Sequence, residues 1–193
     1  LGDVYKRQEQ NNLIDQESEL AKQLIEKFEV YAERANVYPL VPYRNRPPKL
    51  SPKVSFDLKH GDVLEQSKAP NIVQTAFSMD AELSSEFTQG VVMAQGGTAH
   101  GWSLFLNENA VRFSVRIGGK LTVLRSDKLV PVVGNLKKLR LTYSKSGKVV
   151  VESGETLLLQ GNVGSSMVEM PIDPLEVGKD TNGIIGPYPK DWD

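Results

Sequence analysis

The feature that most constrains the fold is a period of two in the hydrophobic pattern, which dominates the chain beyond residue 54. Successive side chains of a β-strand point to opposite faces, so a strand with one buried face alternates apolar and polar residues. Gly118-Gly119 separates two such runs and has the composition of a two-residue hairpin turn. The runs lie at 73–83, 91–95, 102–106, 111–117, 120–125, 137–144, 148–152 and 155–160. Short strands at this spacing predict a mainly β fold, an antiparallel sandwich of the concanavalin or jelly-roll type.

The N-terminal part of the chain has a helical period instead. Between Asp15 and Ala35 the apolar residues recur at helical spacing, which predicts one amphipathic α-helix. Residues 37–53 contain five of the 11 prolines, so this stretch can neither continue the helix nor form a central strand. We therefore expect a leader without structure at 1–12, a helix at 13–36, a Pro-rich linker at 37–56 and the sandwich at 57–193.

Composition excludes several classes of function. The chain has 23 Lys and Arg against 24 Asp and Glu, a formal net charge of -1, so nothing indicates a nucleic-acid partner. No apolar run approaches the ~20 residues that span a bilayer, so we expect no membrane partner. The absence of cysteine excludes disulfides, thiol catalysis and cysteine-ligated zinc. No Gly-rich loop opens a helix, and KSGK at 145–148 lacks the setting of a phosphate-binding loop.

Two residues of the GGTAHGW stretch are candidates for the rim of a binding site. His100 follows Gly96 and Gly97, where a sharp bend could expose its imidazole; the alternative is a solvated loop histidine. Trp102 could stack on a sugar or aryl group if it pointed outward. Its alternation in phase with Leu104 favours a core position instead. His60, in LKHGD, is interpreted as a turn residue.

Two sets of charged residues allow a binding role. Asp127, Asp173 and Asp180 could supply oxygen ligands to calcium, although calcium needs ~6–8 oxygens and their spacing is not that of an EF-hand; the alternative is turn formation and solvation. Four basic residues could form an anion-attracting face, or could be ordinary solvated charges on the outside of a sheet. They are Arg112, Arg116, Lys120 and Arg125.

Three separated motifs carry a resemblance to a known family. The helix and connector read QLIEKFEVYAERANVYPL, and the sandwich contains VMAQGG at 92–97 followed by GWSL at 101–104. A third motif, LEVGKDTN, occupies 175–182, with Asn182-Gly183 placing a glycine one position later than the pattern it matches. In this order the motifs cover about 170 residues, and the chain resembles the C-terminal part of bacterial arylsulfatases.

The resemblance implies a role without a catalytic centre of its own. In that family sulfate esters are hydrolysed by an upstream α/β domain, where a formylglycine made from a C/S-x-P-x-R motif and a bound calcium do the chemistry. This chain has no such motif, so no catalytic, cofactor-binding or metal-binding residue is carried over. The chain is then an accessory sandwich that braces and rims the active site. Its partners would be the upstream catalytic domain and, through it, a sulfate-ester substrate, in a periplasmic or cytoplasmic bacterial enzyme.

Both ends of the chain are expected to be artificial. LGDVYKRQ resembles an adaptor-derived peptide from an environmental sequence assembly, or is a short disordered terminus. Relatives continue past the third motif into one more strand, so we expect the sandwich to be truncated at its last strand. The alternative function is a free-standing glycan-binding module of the concanavalin-like class, and a third is a purely structural scaffold.

Overall fold

The computed structural model describes residues 16–34, 51–189 and 192. It divides the chain into two compact units, Leu1–Pro47 and Pro48–Asp193. The first contains α1, Ser18–Arg34, which confirms the predicted helix. The predicted leader and the part of the linker at 37–50 lie outside the described residues. No helix in the described part of the chain combines the length and apolarity that crossing a membrane would require.

The second unit is a sandwich of two antiparallel sheets, which confirms the predicted fold class. The larger sheet has the order β1-β10-β3-β4-β5-β6, and the smaller has the order β2-β7-β8-β9. The strands are β1 Val63–Leu64, β2 Phe77–Ser84, β3 Gly90–Gln95, β4 Gly101–Asn107, β5 Ala110–Ile117, β6 Lys120–Leu129, β7 Leu136–Tyr143, β8 Lys148–Ser153, β9 Thr156–Asn162 and β10 Leu175–Val177.

The core lies between the inner faces of the two sheets. On β4 and β5 the alternation places Trp102 and Phe113 inward, at 3% and 0% exposure. Their rings lie 6.3 Å apart between centroids, and Phe77 of β2 stacks 5.3 Å from Tyr143 of β7. Because each large aromatic ring removes much apolar surface from water, this cluster is a main source of the stability of the sandwich.

Side chains of β6 join the two sheets along one rim. The Ser126 hydroxyl donates to the carbonyl of Leu158 on β9 at 2.6 Å, and the Lys128 ammonium donates to the carbonyl of Leu157 at 2.7 Å. Gly161 packs against Leu124, where a Cβ would lie 2.7 Å from the leucine. Two backbone acceptors of β9, the carbonyls of Leu157 and Leu158, are therefore satisfied by side chains of the other sheet.

The structure differs from the predicted strands in three places, of which one is the end of β6, expected at Arg125 and found at Leu129. The strand expected from residue 73 begins at Phe77, because Gln74 adopts a left-handed conformation with φ 49° and interrupts the extended chain. β1 and β10 were not predicted, since strands of two and three residues are too short to establish a period. β10 nevertheless pairs with β3 and places the third sequence motif beside the second.

Ser126→Ala tests the join between the sheets. The variant leaves the buried Leu158 carbonyl without its donor, so the free energy of unfolding should fall by about 1–3 kcal/mol. Urea unfolding measures the change. Ser78→Ala, on the exposed face of β2, is the matched control and should change stability by less than about 0.5 kcal/mol. Equal stabilities of the two variants would contradict this account of the rim.

Candidate functional site

The outer face of the larger sheet is covered by residues 178–189, which we call the covering segment. A second apolar cluster lies between them, formed by Val91, Ala94 and Phe105 of the sheet with Tyr188 of the covering segment. The Tyr188 ring lies edge-on to Phe105 with centroids 4.7 Å apart, and Trp192 stacks on Tyr188 at 5.6 Å. The sheet is thus buried on both faces at β3 and β4, which explains their nearly continuous burial.

A buried carboxylate organises the covering segment. Asp180 is 4% exposed and accepts hydrogen bonds from the backbone N–H of Ile185 at 2.8 Å and from the Tyr188 hydroxyl at 2.7 Å. The same hydroxyl makes a second hydrogen bond with Ser103 of β4, also at 2.7 Å. Burial, together with the neighbouring Asp180 charge, raises the pKa of Tyr188 well above its ordinary range. The phenol therefore keeps its proton and can donate to the carboxylate.

The glycines of the GGTAHGW stretch allow the covering segment to approach closely. A Cβ on Gly96 would lie 2.6 Å from the carbonyl oxygen of Gly183, and one on Gly101 would lie 2.5 Å from the side chain of Ile185. Real Cβ atoms do not approach other atoms so closely, so a side chain at either position would push the segment away. The two glycines therefore serve the close packing of the segment, and they do not form a bend that presents a neighbouring side chain to solvent.

Arginines of β5 bind backbone carbonyls. The Arg116 guanidinium donates to the carbonyl of Gly97 at 2.7 Å and to that of Ile184 at 3.1 Å, and so holds the β3–β4 loop to the covering segment. Arg112 donates to the carbonyls of Val111 and Ser126. Lys120 and Arg125 are exposed. The four residues therefore do not present one solvated basic face, and the two half-buried arginines serve the fold.

His100 is buried, so the interpretation as a solvated loop histidine is wrong. Its exposed fraction is 7%, and its Nδ1 has no hydrogen-bond partner among the described residues. Trp102 lies in the core, as its alternation predicted, and its Nε1 is likewise unpartnered. Gln95, which faces Trp102 across β3 and β4, is a buried polar residue that the sequence analysis missed. His60 is exposed and lies beside Gly178, where a Cβ would meet the imidazole at 2.3 Å.

The three aspartates considered as calcium ligands have different partners and surroundings. Asp173 accepts the backbone N–H of Gly183 at 2.7 Å, Asp180 is occupied as described above, and Asp127 is exposed on β6. Neither of the first two forms a local turn: Asp173 accepts from a backbone N–H ten residues on and Asp180 from one five residues on, so both carboxylates bind the covering segment. Across the described ranges, no group of three or more acidic or histidine side chains is placed to hold a metal ion.

An open groove lies beside β1. Its volume is about 600 Å³, and it is lined by Phe56, Asp57, Asp62, Ser67 and Lys68 among others. The Lys53 ammonium lies 4.9 Å from the centroid of the half-buried Phe56 ring. An aromatic ring surrounded by hydroxyl, carboxylate and ammonium groups is a composition that can bind a polar ligand with apolar faces.

Comparison with known proteins establishes no family. No protein-family model matches the chain, and a search of curated proteins finds no match. Among solved structures, the chain is similar to mouse laminin alpha1 chain, domains LG4-5, with 11% identity and a TM-score of 0.45. The match covers 75% of this chain and 42% of the laminin chain, so the protein spans less than half of that structure. At this identity and score the similarity carries no inference about function.

Tyr188→Phe tests the covering segment at neutral pH. The variant removes the hydroxyl that joins Asp180 to Ser103 and leaves a buried carboxylate with one donor fewer. The free energy of unfolding should fall by about 1–3 kcal/mol in urea titrations at pH 7. Tyr31→Phe, at an exposed tyrosine of α1, is the control and should leave stability unchanged.

The same variant should alter the dependence of stability on pH. Burial raises the pKa of Tyr143 to about 12 and that of Tyr188 further, whereas both ionise near 10.0 when unfolded. Above pH ~10 the unfolded chain loses protons that the folded chain retains, so stability falls by ~1.4 kcal/mol per pH unit for each tyrosine. Between pH 10 and 11.5 the stability of the wild type should therefore fall more steeply than that of Tyr188→Phe, by up to ~1.4 kcal/mol per pH unit. Identical slopes would contradict the burial of Tyr188.

Proposed function

We propose that this chain is a non-catalytic accessory sandwich, and that it serves a sulfuric ester hydrolase of the arylsulfatase type. The observation that carries the first part is that several buried polar side chains are used within the sandwich itself. Asp180, Glu176 and Ser103 all bind other parts of the sandwich, and Arg116 does the same from a half-buried position. Groups engaged in this way maintain a shape and are not available for chemistry on a substrate.

The association with a sulfatase rests on the motif resemblance. It is supported by the contact between the second and third motifs in the structure. VMAQGG and LEVGKDTN lie about 80 positions apart in sequence, yet Gln95 pairs with Leu175 across β3 and β10. Beyond the strands, Gly183 donates to Asp173 and crosses Gly96 at close range. The second and third motifs therefore belong to one packing arrangement, and this contact between them supports the resemblance on which the proposal rests.

In this proposal the reaction takes place on an upstream domain. That domain would carry the formylglycine and the calcium, and the sandwich would brace it and form part of the rim of the active site. The loop that contains His100 is the part of the sandwich that we assign to this rim. Its position is fixed by Arg116, which donates to the carbonyl of Gly97 within the same loop.

A comparison of two proteins tests this function: the 193-residue chain and the same chain extended upstream by the in-frame coding sequence. We expect the extension to contain C/S-x-P-x-R and the extended protein to hydrolyse 4-nitrophenyl sulfate, with loss of activity on chelation of calcium. The chain by itself should show no turnover above a blank without protein, because it lacks the nucleophile. Turnover by the chain itself, or an extension without that motif, would overturn the proposal.

A second candidate is a free-standing glycan-binding module, which the groove beside β1 favours. Trp102 cannot serve it, since its indole is 3% exposed. Phe56 is the aromatic ring of this groove, and Asp57, Ser67 and Lys68 could bind sugar hydroxyls around it. Stacking of a sugar on an aromatic face with hydrogen bonds at the ring edge is a general mode of carbohydrate recognition.

Phe56→Ala tests this second function. If the groove binds glycans, the wild type should bind members of a glycan array that includes sulfated and neutral sugars. The variant should then lose about tenfold or more in affinity, as expected for the loss of one aromatic contact. Leu129→Ala, exposed on β6, is the control. Absence of binding on the array, or equal binding by Phe56→Ala, would exclude this groove as a glycan site.

A further inference from the structure

β2 forms an open edge of the smaller sheet. Its eight residues pair with β7 from Phe77 to Ser84 without a bulge, and no other described residue pairs with its opposite side. Edge strands of natural proteins usually carry lysine, proline, a bulge or an inward-facing charge that prevents further pairing. The sequence of β2, FSMDAELS, has no lysine, proline or bulge, and its only charged side chains, Asp80 and Glu82, are acids that point away from the core.

The core is incompletely covered along the same edge. The inward side chains of β2 are Phe77, Met79, Ala81 and Leu83, and all four are only partly buried. Their neighbours on β7, Leu139, Leu141 and Tyr143, are at most 2% exposed. On the opposite rim, Ser126 and Lys128 donate to the carbonyls of Leu158 and Leu157 on β9. Side chains thus join the two sheets along the β9 rim, whereas no described residue pairs with the outer edge of β2.

The outward side chains of β2 indicate the charge of the strand that would fit. Asp80 and Glu82 point away from the core, and each forms an ion pair with the neighbouring strand, with Arg140 at 2.7 Å and Lys138 at 2.8 Å. The acids lie on the edge strand and the bases on the strand behind it. A strand added to the edge would therefore meet the acids first, and a carboxylate can accept bonds from more than one cation.

We propose that the open edge of β2 binds a β-strand of a partner polypeptide whose inward residues are apolar and whose outward residues are Lys or Arg. Pairing would satisfy the unpaired backbone groups of β2 and cover its four half-buried side chains. The basic residues would extend the charge ladder of Asp80 with Arg140 and of Glu82 with Lys138 by one strand. This inference does not depend on either function proposed above.

A second copy of this chain fits the edge poorly. The longest antiparallel registers that keep the apolar side chains of both β2 strands on one face place Asp80 opposite Asp80 or opposite Glu82. An in-register parallel pair likewise sets acid against acid. Like charges directly opposite each other destabilise a pair of strands, so self-association is disfavoured where a basic strand is favoured.

Fluorescence anisotropy with a labelled peptide that alternates valine and lysine tests the proposal, using the full chain at low ionic strength. We expect saturable binding, and no binding of a peptide that alternates valine and glutamate. Two further valine–lysine peptides carry N-methyl groups, one at odd and the other at even positions. Alternate N–H groups of a strand face the partner, so one methylated peptide should bind and the other should not. Equal behaviour of the two would mean electrostatic association only and would overturn strand addition.

Protein variants locate the site. Asp80→Asn combined with Glu82→Gln should weaken the valine–lysine peptide about 2- to 30-fold, the effect of two cross-strand charge pairs. Asp127→Asn combined with Glu155→Gln changes the net charge equally at exposed positions away from β2 and should leave the affinity unchanged. Circular dichroism verifies the fold of both. Equal affinities of the two double variants, no binding of the peptide, or a dimer of the chain in sedimentation would each contradict the proposal.

Discussion

The interaction on which the rest of the structure depends is the hydrogen bonding of buried Asp180. This carboxylate orders residues 180–188 by accepting from Ile185 and Tyr188, and Tyr188 extends the network to Ser103 on the sheet. A buried carboxylate is costly unless it accepts several bonds, so the network and the burial require each other. With the segment in place, the apolar outer face at Val91 and Phe105 is withdrawn from water. Removal of the Tyr188 side chain would leave the carboxylate with one donor fewer and uncover the apolar surface.

The region of the sandwich under the covering segment differs in role from the rest of its surface. Where the segment crosses β3 and β4, glycines and half-buried arginines serve packing, and the polar groups are used internally. Besides the β3–β4 loop that we assign to the rim, two surfaces are left for a partner: the groove beside β1 and the unpaired edge of β2. A domain that holds its shape in one region and binds in another can brace a larger enzyme or bind a glycan without chemistry of its own.

The sequence predicted the strands well because alternation is a local property. Trp102 and Phe113 face the core, as the alternation of apolar and polar residues along their strands predicted. The burial of His100 could not be predicted, because the residues around its loop include Ile172, Gly183 and Ile184, more than 70 positions away. The same holds for Asp180, which resembles a turn residue until Tyr188 and Ser103 are seen beside it. Function is harder to predict than burial. A motif of glycines indicates that something lies close to the backbone, but it does not say whether this is another segment of the chain or a ligand.

Amide hydrogen exchange of residues 183 and 185, followed by NMR, tests the central claim most directly. The Gly183 and Ile185 N–H groups donate to Asp173 and Asp180 within a segment that has no strand or helix of its own. If the segment is bound to the sheet as described, these two amides should exchange as slowly as those of β3 and β4. Exchange at the rate of an unstructured peptide, with β3 and β4 still protected, would show that the outer face is not covered and would contradict the account.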